Sequence, residues 1–334
     1  MHTHISRISC FSFTKSISLK VLRRGVHSAE EKYLQLVFLR HGQSTWNQKN
    51  IFIGMTDTPL TEDGILEARA AGRLLAVENI QFDLIYTSLL RRSIKTVWLA
   101  VQELGQEWVP VLKDWRLNER NYGALVGRNK KQCVEEYGKD QVKRWRRSWD
   151  EPPPEMTKDY QYWPGHEYRY EMLGIDPHII PLAESLKEVT IRTSEFWDEK
   201  IVPQLKAGKK ILIVGHENNL RSMIKRLDKI SNEDILHLEL PRAIPLLYHL
   251  DRVTLEPIKL RDHAKMLSGK YLTDAESLEQ IAVRDQKQVY DLNVKDNLEM
   301  GPKWDSWRKW MVFLMGPSYG NTNTSPSSPS SPAK

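Results

Sequence analysis

The chain has 334 residues, of which 40% are hydrophobic and 28% are charged, so it can bury one large core or two smaller ones. No stretch approaches the roughly 18 consecutive apolar residues that a membrane span needs, which argues against a transmembrane protein. Cys10 and Cys133 cannot build a disulfide framework, and no Cys/His cluster has zinc spacing. The formal net charge of +6 suits nucleic acid or a small anionic ligand, but no aromatic and basic motif favours nucleic acid. We therefore expect an intracellular, metal-free protein that binds neither membrane nor nucleic acid.

The first 32 residues differ in composition from the rest of the chain. Residues 1–29 contain six serines, no acidic residue, and the basic residues Arg7, Lys15, Lys20, Arg23 and Arg24. Leaders that are rich in Arg and Ser and poor in acidic residues are typical of organelle import. We predict that residues 1–32 form a transit peptide for the mitochondrion, with a cytoplasmic or a plastid location as the alternatives.

The other end of the chain is predicted to add two segments to a central domain at 33–260. Residues 261–315 are predicted to form a helical extension, because the aromatic side chains near its end have helical spacing: Trp304, Trp307, Trp310 and Phe313. Residues 316–334 are a run of Ser, Pro, Asn, Thr and Gly without core-forming residues. That composition predicts a disordered tail.

Within the central domain, short apolar runs alternate with amphipathic segments, which is typical of an α/β domain. Strands are predicted at 34–39, 82–86 and 210–214. A helix is predicted from an N-cap at Thr61 to about Val77, and another over 91–104. Ser185 and Glu188 have the spacing of a capping box that opens a third helix, ending near Ile201.

Two histidines follow predicted strands directly. His41 follows the first strand and His216 follows the third. Because open α/β sheets gather their ligands at the carboxyl ends of parallel strands, we expect both imidazoles at one rim. The Pro- and aromatic-rich segment 145–174 is predicted to be an ordered insertion that covers this rim as a lid or wall.

The first histidine lies in the sequence Arg40-His41-Gly42. A neutral imidazole nitrogen can attack phosphorus, and an adjacent guanidinium can stabilise the oxygen atoms of a phosphoryl group during transfer. A single histidine after a strand is more often a structural or surface residue. The interpretation therefore depends on the motifs that surround it.

Five sequence blocks occur in order along the chain: LRHGQSTWN at 39–47, FDLIYTS at 82–88, WRLNERNYG at 115–123, WRRS at 145–148 and GHENNLR at 215–221. With these blocks the chain resembles, over about 34–251, the cofactor-dependent phosphoglycerate mutases within the histidine phosphatase superfamily. The resemblance implies a phosphoglycerate mutase-like, three-layer α/β/α fold with a mostly parallel central sheet flanked by helices.

The resemblance also implies roles for individual residues. It makes His41 the phosphoryl carrier and Glu119 the general acid and base, with a phosphate pocket formed by Arg40, Arg92 and His216. The implied substrate-binding residues are Ser44, Asn47, Gly54, Tyr122, Lys130, Arg146, Arg147, Glu217 and Asn218. Two alternatives stay open: Glu119 could be an ion-pair partner of Arg116 or Arg120, and the Arg146–Arg147 pair could be a solvated basic run rather than a phosphate clamp.

The activity implied by the resemblance is the interconversion of 3-phosphoglycerate and 2-phosphoglycerate, with 2,3-bisphosphoglycerate as priming phosphate donor and no metal. The alternatives are a bisphosphoglycerate mutase, a histidine-type phosphatase for another phosphorylated metabolite, and a non-catalytic scaffold. A homodimer or a homotetramer is allowed, since the sequence does not determine the oligomeric state.

Two positions near the expected pocket depart from the family pattern. Glu217 stands where the family usually has Gly, and Arg242-Ala243 stands where it usually has Thr-Gly. A carboxylate that pointed into a phosphate pocket would repel the ligand. We therefore expect Glu217 to point outward or to pair with Arg242.

Overall fold

The computed structural model describes residues 32–260, 266–274 and 278. The predicted leader, apart from Lys32, and the predicted tail at 316–334 lie outside the described residues, as does most of the predicted extension at 261–315. The division of the chain at these boundaries stays a prediction. In the part that is described, no helix is both long enough and apolar enough to cross a membrane.

The described strands form one sheet in the order β3-β2-β4-β1-β5-β6, with β7 also paired to β5. Their bounds are β1 Leu34–Arg40, β2 Leu84–Thr87, β3 Val111–Lys113, β4 Ile211–Gly215, β5 Leu246–Leu250, β6 Pro257–Ile258 and β7 Lys270–Tyr271. The first four strands are parallel to one another. β5 runs antiparallel to β1, and β6 and β7 run antiparallel to β5.

The helices of the described residues lie on both sides of this sheet. They are α1 Thr45–Gln48, α2 Glu62–Val77, α3 Arg91–Leu104, α4 Lys130–Tyr137, α5 Lys139–Arg147, α6 Tyr168–Met172, α7 Leu186–Phe196, α8 Val202–Lys206 and α9 Glu217–Leu227. A π-helical turn, Trp197–Ile201, joins α7 to α8. Short 3-10 helices lie at Trp115–Leu117, Gly123–Leu125, Pro164–His166, Pro177–Ile179 and Asp234–His237.

The helix starts follow from the capping side chains. The Thr61 hydroxyl accepts a hydrogen bond from the backbone N–H of Gly64 at 3.0 Å, and this contact opens α2. At the start of α7, the Glu188 carboxylate accepts from the backbone N–H of Ser185 at 2.8 Å, as a capping box requires. Both predicted helix starts are therefore confirmed.

Alternate side chains of β1 enter two different hydrophobic clusters. Leu36 and Phe38 belong to the cluster that includes α7 and α9, whereas Val37 and Leu39 belong to the cluster that includes α2 and α3. A strand that is buried on both faces needs a continuous apolar run, which the sequence of β1 supplies. The predicted three-layer α/β/α fold with a mostly parallel core is confirmed.

The structure corrects two predicted boundaries and adds strands. The segment predicted to be an insertion from residue 145 begins later, because α5 continues to Arg147. The predicted helix over 185–201 is interrupted by the π-helical turn and continues to Lys206. β3, β5, β6 and β7 were not predicted. β3, β6 and β7 have only two or three residues, which is too few for a clear apolar period.

The insertion after α5 is held onto the domain by polar contacts. Arg169 in α6 donates to the Leu89 carbonyl at 2.8 Å and forms a salt bridge with Asp57 at 2.7 Å. Tyr160 donates to the Val126 carbonyl at 2.8 Å. These contacts join the insertion to loops that follow β2 and precede α4, as a wall above the sheet requires.

We predict that Gly72→Ala destabilises the fold, because α2 and α3 are in backbone contact at this position. A Cβ atom at residue 72 would lie 2.3 Å from the Ala100 carbonyl oxygen. At an open helix position the same change stabilises by up to about 1 kcal/mol, whereas overpacking costs about 1–3 kcal/mol. Urea unfolding measures the difference. The control is Val77→Ala in the same helix, at a residue that is 72% exposed. A Gly72→Ala protein that is more stable than the wild type would contradict the close backbone contact between α2 and α3.

Candidate active site

Two buried histidines meet where β1 and β4 end. Arg40 pairs with Gly215 in the β1–β4 register, so the next residue of each strand, His41 and His216, enters the same rim. The His41 backbone N–H donates to the Gly215 carbonyl at 3.0 Å. The imidazole centroids are 4.9 Å apart, and the residues are 3% and 0% exposed. The structure therefore brings together the two histidines that the sequence placed at one rim.

The tautomer of His41 is set by its neighbouring backbone. Nδ1 lies 2.6 Å from the Gly42 carbonyl oxygen, which can only accept, so Nδ1 carries the proton and Nε2 keeps its lone pair. Burial, followed by the charges of Arg92 and Arg40, holds the pKa of His41 well below 6.5. Since the neutral imidazole is the nucleophilic form, this environment suits attack by Nε2.

Arg92 projects from the first turn of α3 toward that nitrogen. Its Nε donates to His41 Nε2 at 3.3 Å, and its two terminal nitrogens donate to the carbonyls of Thr56 at 2.8 Å and Gly54 at 2.9 Å. Burial lowers its pKa to about 10, so the guanidinium stays charged near neutral pH. Gly54 has a φ of +55°, a conformation that favours glycine. Its contribution to the site is therefore its backbone carbonyl, which fixes Arg92.

His216 is oriented by a serine that the sequence did not single out as a site residue. The Ser88 hydroxyl lies 2.8 Å from His216 Nε2, and the His216 backbone N–H donates to Asn219 Oδ1 at 2.6 Å. His216 Nδ1 is buried and has no hydrogen-bond partner in the structure. Burial and the charge of Arg92 keep the pKa of His216 well below 6.5. The sequence does offer a signal for Ser88 as a site residue, because it directly follows β2 and lies inside the FDLIYTS block.

Glu119 lies in the same pocket, and only 8% of its surface is exposed. Its Oε1 accepts from the backbone N–H of Arg120 at 2.7 Å and from that of Asn218 at 3.2 Å. The Asn218 amide donates to the Tyr122 hydroxyl at 3.2 Å. The alternative ion pair does not form: Arg116 bridges to Asp114 and Glu199, and the Arg120 side chain donates to the Tyr122 hydroxyl and the Arg146 carbonyl.

A buried ion pair, also absent from the sequence predictions, holds the loop that carries Glu119. Arg192 bonds to Glu184 at 2.6 Å, and it donates to the carbonyls of Asn118 at 3.0 Å and Glu119 at 3.3 Å. Glu184 also accepts from the backbone N–H of Asn121 at 2.8 Å. More than sixty residues separate these partners from the loop, so no local pattern could have indicated that the pair holds it.

Two predicted substrate-binding residues are engaged with each other. The Asn47 side-chain oxygen accepts from the Ser44 backbone at 3.0 Å and from the Ser44 hydroxyl at 2.8 Å. The Asn47 backbone N–H donates in turn to the Ser44 hydroxyl at 3.3 Å, which completes the capping box of α1, two residues after Gly42. Both residues therefore lie at the rim and fix the backbone that follows the histidine.

The predicted basic residues of the opposite wall are largely buried, which excludes a solvated run. Arg146 is 7% exposed and the Arg147 side chain is 11% exposed. Arg147 is bound by two carboxylates, Glu217 at 2.7 Å and Glu239 at 3.0 Å. The predicted phosphate clamp of Arg146 and Arg147 stays a prediction. Lys130 begins α4, and burial, followed by the charge of Arg146, lowers its pKa to about 7.

Glu217 does not point outward. Its carboxylate bridges Arg40 at 3.1 Å and Arg147 at 2.7 Å, and its side chain is 16% exposed. Burial opposes ionisation, but Arg40 and Arg147 outweigh it and hold the pKa of Glu217 well below 4.5. The expected outward position is therefore wrong. The salt bridges of Glu217 are with Arg40 and Arg147, and Arg242 Nε lies 3.9 Å from Glu67.

The pocket and its walls carry more positive than negative side chains. The cations are Arg40, Arg92, Arg120, Lys130, Arg146, Arg147, Arg221 and Arg242, and the carboxylates are Glu67, Glu119, Glu217 and Glu239. Such an excess suits a ligand with several negative charges, because guanidinium groups match phosphate oxygens with two parallel hydrogen bonds. Within the described ranges, no group of three or more His, Cys, Asp or Glu side chains could hold a metal ion.

We predict that His41→Asn flattens the loss of stability in acid. In the unfolded chain a histidine binds a proton as the pH falls through 6.5, whereas folded His41 stays neutral to a lower pH. The unfolded state then binds more protons, so the free energy of unfolding falls as the pH falls. Removing one such group should reduce this loss by up to about 1.4 kcal/mol per pH unit.

The measurement is urea unfolding between about pH 7 and pH 5, the interval in which an unfolded histidine takes up its proton. His216→Asn should change the slope in the same direction, because its imidazole is also held neutral by burial. Slopes equal to that of the wild type in both variants would contradict two neutral, buried imidazoles.

Solved structures with the same fold are distant in sequence. An Escherichia coli protein proposed to be an alpha-ribazole-5′-P phosphatase is 21% identical with a TM-score of 0.50, over 67% of this chain and 93% of its own. The alpha-ribazole phosphatase of Shigella flexneri is 23% identical with a TM-score of 0.49, over 67% and 93%. A mycobacterial glucosyl-3-phosphoglycerate phosphatase is 24% identical with a TM-score of 0.49, over 64% and 92%.

The family itself is identified from the sequence profile. Residues 36–252 match the histidine phosphatase superfamily (branch 1), and this match covers more than half of the 334 residues. It spans both histidines, Arg92 and Glu119. The chain therefore belongs to the histidine phosphatase superfamily, branch 1, whose chemistry is phosphoryl transfer of the phosphatase or mutase type.

Proposed function

We propose that this protein interconverts 3-phosphoglycerate and 2-phosphoglycerate through a phosphorylated His41. The observation that carries the proposal is the buried pair of imidazoles, whose ring centroids are 4.9 Å apart. Arg92 Nε donates a hydrogen bond to His41 Nε2 of this pair. Glu119 in the same pocket supplies a carboxylate for proton transfer. The blocks WRLNERNYG and WRRS, which resemble mutases in particular, support a mutase over a phosphatase.

In this cycle the phosphoryl group moves twice. Priming by 2,3-bisphosphoglycerate transfers one phosphoryl group to His41 Nε2. The bond between phosphorus and a glycerate oxygen breaks, and protonated Glu119 gives its proton to that leaving oxygen. The 2-hydroxyl of 3-phosphoglycerate then attacks phosphorus, Glu119 takes the hydroxyl proton, and the bond to His41 breaks. The resulting 2,3-bisphosphoglycerate reorients, and its 3-phosphoryl group returns to His41 while Glu119 gives its proton to the leaving oxygen. The product is 2-phosphoglycerate.

The pocket favours these steps by fixing charges before the ligand arrives. Two backbone carbonyls hold Arg92 in place. Its Nε–H, which donates to His41 Nε2 in the structure, must release that nitrogen when Nε2 binds phosphorus, and it can then donate to an oxygen of the phosphoryl group. Low pKa values keep His41 and His216 neutral at physiological pH. A neutral imidazole has one N–H group, so His216 can donate one hydrogen bond to the phosphoryl group while His41 acts as the nucleophile.

Water exclusion separates a mutase from a phosphatase on this scaffold. If water reached phospho-His41 faster than substrate, the net reaction would be hydrolysis. The insertion after α5 forms a cover that Arg169 anchors to Asp57 and to the Leu89 carbonyl. A phosphatase is the second candidate, because the histidine phosphatase superfamily, to which the chain belongs, includes phosphatases. A bisphosphoglycerate mutase would retain the same covalent intermediate.

We predict that the purified protein, with 3-phosphoglycerate and a trace of 2,3-bisphosphoglycerate, forms 2-phosphoglycerate that enolase converts further. His41→Ala should reduce the rate by at least about 10⁴-fold, because the covalent carrier is lost. A metal chelator should leave the mutase step unchanged, which is read in a separate quenched sample because enolase requires magnesium. Phosphate release without 2-phosphoglycerate would replace the mutase with a phosphatase, and inactivity towards every phosphorylated substrate tested would favour a scaffold.

We also propose that the protein acts in the mitochondrion, on the basis of the composition of residues 1–32. Fusing residues 1–32 to a fluorescent reporter should direct the reporter to mitochondria. A fusion in which the basic residues are replaced by Gln is the matched control and should remain diffuse, because import leaders depend on positive charge. A diffuse or plastid signal from the unaltered leader would contradict the proposal.

A further inference from the structure

Glu217 withdraws positive charge from the phosphate pocket. Its carboxylate bridges Arg40 and Arg147, at 3.1 and 2.7 Å, and Arg147 is bound by Glu239 as well. A ligand with several negative charges therefore meets two guanidiniums that are already partly neutralised. The Glu217 carboxylate weakens the attraction of the pocket for a bisphosphorylated ligand. A further cation is needed to restore that attraction.

Arg242 lies where such a cation could act. The loop that carries it is bonded to Arg40, the residue before His41. The Ala243 backbone N–H donates to the Arg40 carbonyl at 2.9 Å, and an Arg40 guanidinium nitrogen donates to the Leu240 carbonyl at 2.6 Å. Arg242 itself is 5% exposed. Its place in the fold is thus fixed beside the end of β1.

Arg242 lies next to the backbone that follows His41. Glu67 lies 3.9 Å from Arg242 Nε, and the same carboxylate oxygen accepts from the Gln43 backbone at 2.6 Å. The guanidinium is thereby located next to the segment that follows His41. Its charge also contributes to the lowered pKa of both His41 and Lys130. Arg242 is therefore within electrostatic reach of the nucleophile and of the opposite, lysine-bearing wall.

We propose that Arg242 binds phosphoryl oxygens of the ligand and replaces the positive charge that Glu217 withdraws, so that the pocket favours ligands with two phosphoryl groups. This inference rests on the proposed function, in which a bisphosphorylated glycerate is both the primer and the bound intermediate. A monophosphorylated ligand gains less from Arg242, because it has no second phosphoryl group between His41 and Lys130.

The test measures ligand affinity by calorimetry on the full chain with His41→Ala, which prevents covalent transfer. In that background, Arg242→Gln should weaken binding of 2,3-bisphosphoglycerate by about tenfold or more and binding of 3-phosphoglycerate by less than about threefold. Arg242→Lys keeps the charge and should restore part of the lost affinity. Arg226→Gln is the matched control, since Arg226 forms an exposed pair with Asp198 and should leave both affinities unchanged.

A second variant tests the match between the two charges. Glu217→Gln should strengthen binding of 2,3-bisphosphoglycerate, and Glu217→Gln with Arg242→Gln should return the affinity toward that of the parent. Equal weakening of both ligands by Arg242→Gln, or no weakening, would overturn the inference, as would weaker binding in a folded Glu217→Gln protein. If Arg242→Gln is selective but the wild type lacks mutase turnover, the proposed function fails and the ligand preference stands. If the wild type has mutase turnover but Arg242→Gln weakens both ligands equally, the inference fails and the proposed function stands.

Discussion

The site depends on the parallel pairing of β1 with β4. In this register Arg40 lies opposite Gly215, and the two residues that follow are the histidines. A slip by one residue would turn the side chains of one strand to the other face and separate the imidazoles. The register is fixed because both strands are buried on both faces, between the helix pair α2 and α3 and the pair α7 and α9. The packing of the core thus sets the geometry of the chemistry.

A pocket with this much buried positive charge is stable only where each charge has a partner. An isolated buried ion is costly, whereas one that is paired or fully hydrogen-bonded can be retained. Arg92 uses backbone carbonyls of the loop that contains Gly54, and Arg192 uses Glu184 together with the carbonyls of the loop that carries Glu119. The same contacts that satisfy these charges also fix the groups that would meet a phosphoryl group. Stability and preorganisation therefore have a common origin here.

The two departures from the family pattern lie in adjacent parts of the pocket. Glu217 bridges Arg40 and Arg147, and the loop of Arg242 is bonded to the backbone of Arg40. Ala243 has a φ of +53°, in the left-handed region that costs a non-glycine residue about 1–2 kcal/mol. This strain explains why glycine is usual at that position in the family. The bond from the Ala243 N–H to the Arg40 carbonyl helps to hold the conformation.

The sequence by itself determined the local elements and the rim. Apolar runs and capping residues located β1, α2, α3 and the start of α7, and the end of each parallel strand located His41 and His216, because these signals depend on neighbours along the chain. Only the tertiary structure decided the partners of Glu217 and the serine that orients His216. It also decided that the Arg192–Glu184 pair holds the loop of Glu119, and how β3, β5, β6 and β7 pair in the sheet. Those features depend on which distant segments pack together. A charged side chain needs a partner only where folding has removed it from water, and the sequence alone does not show which side chains are buried.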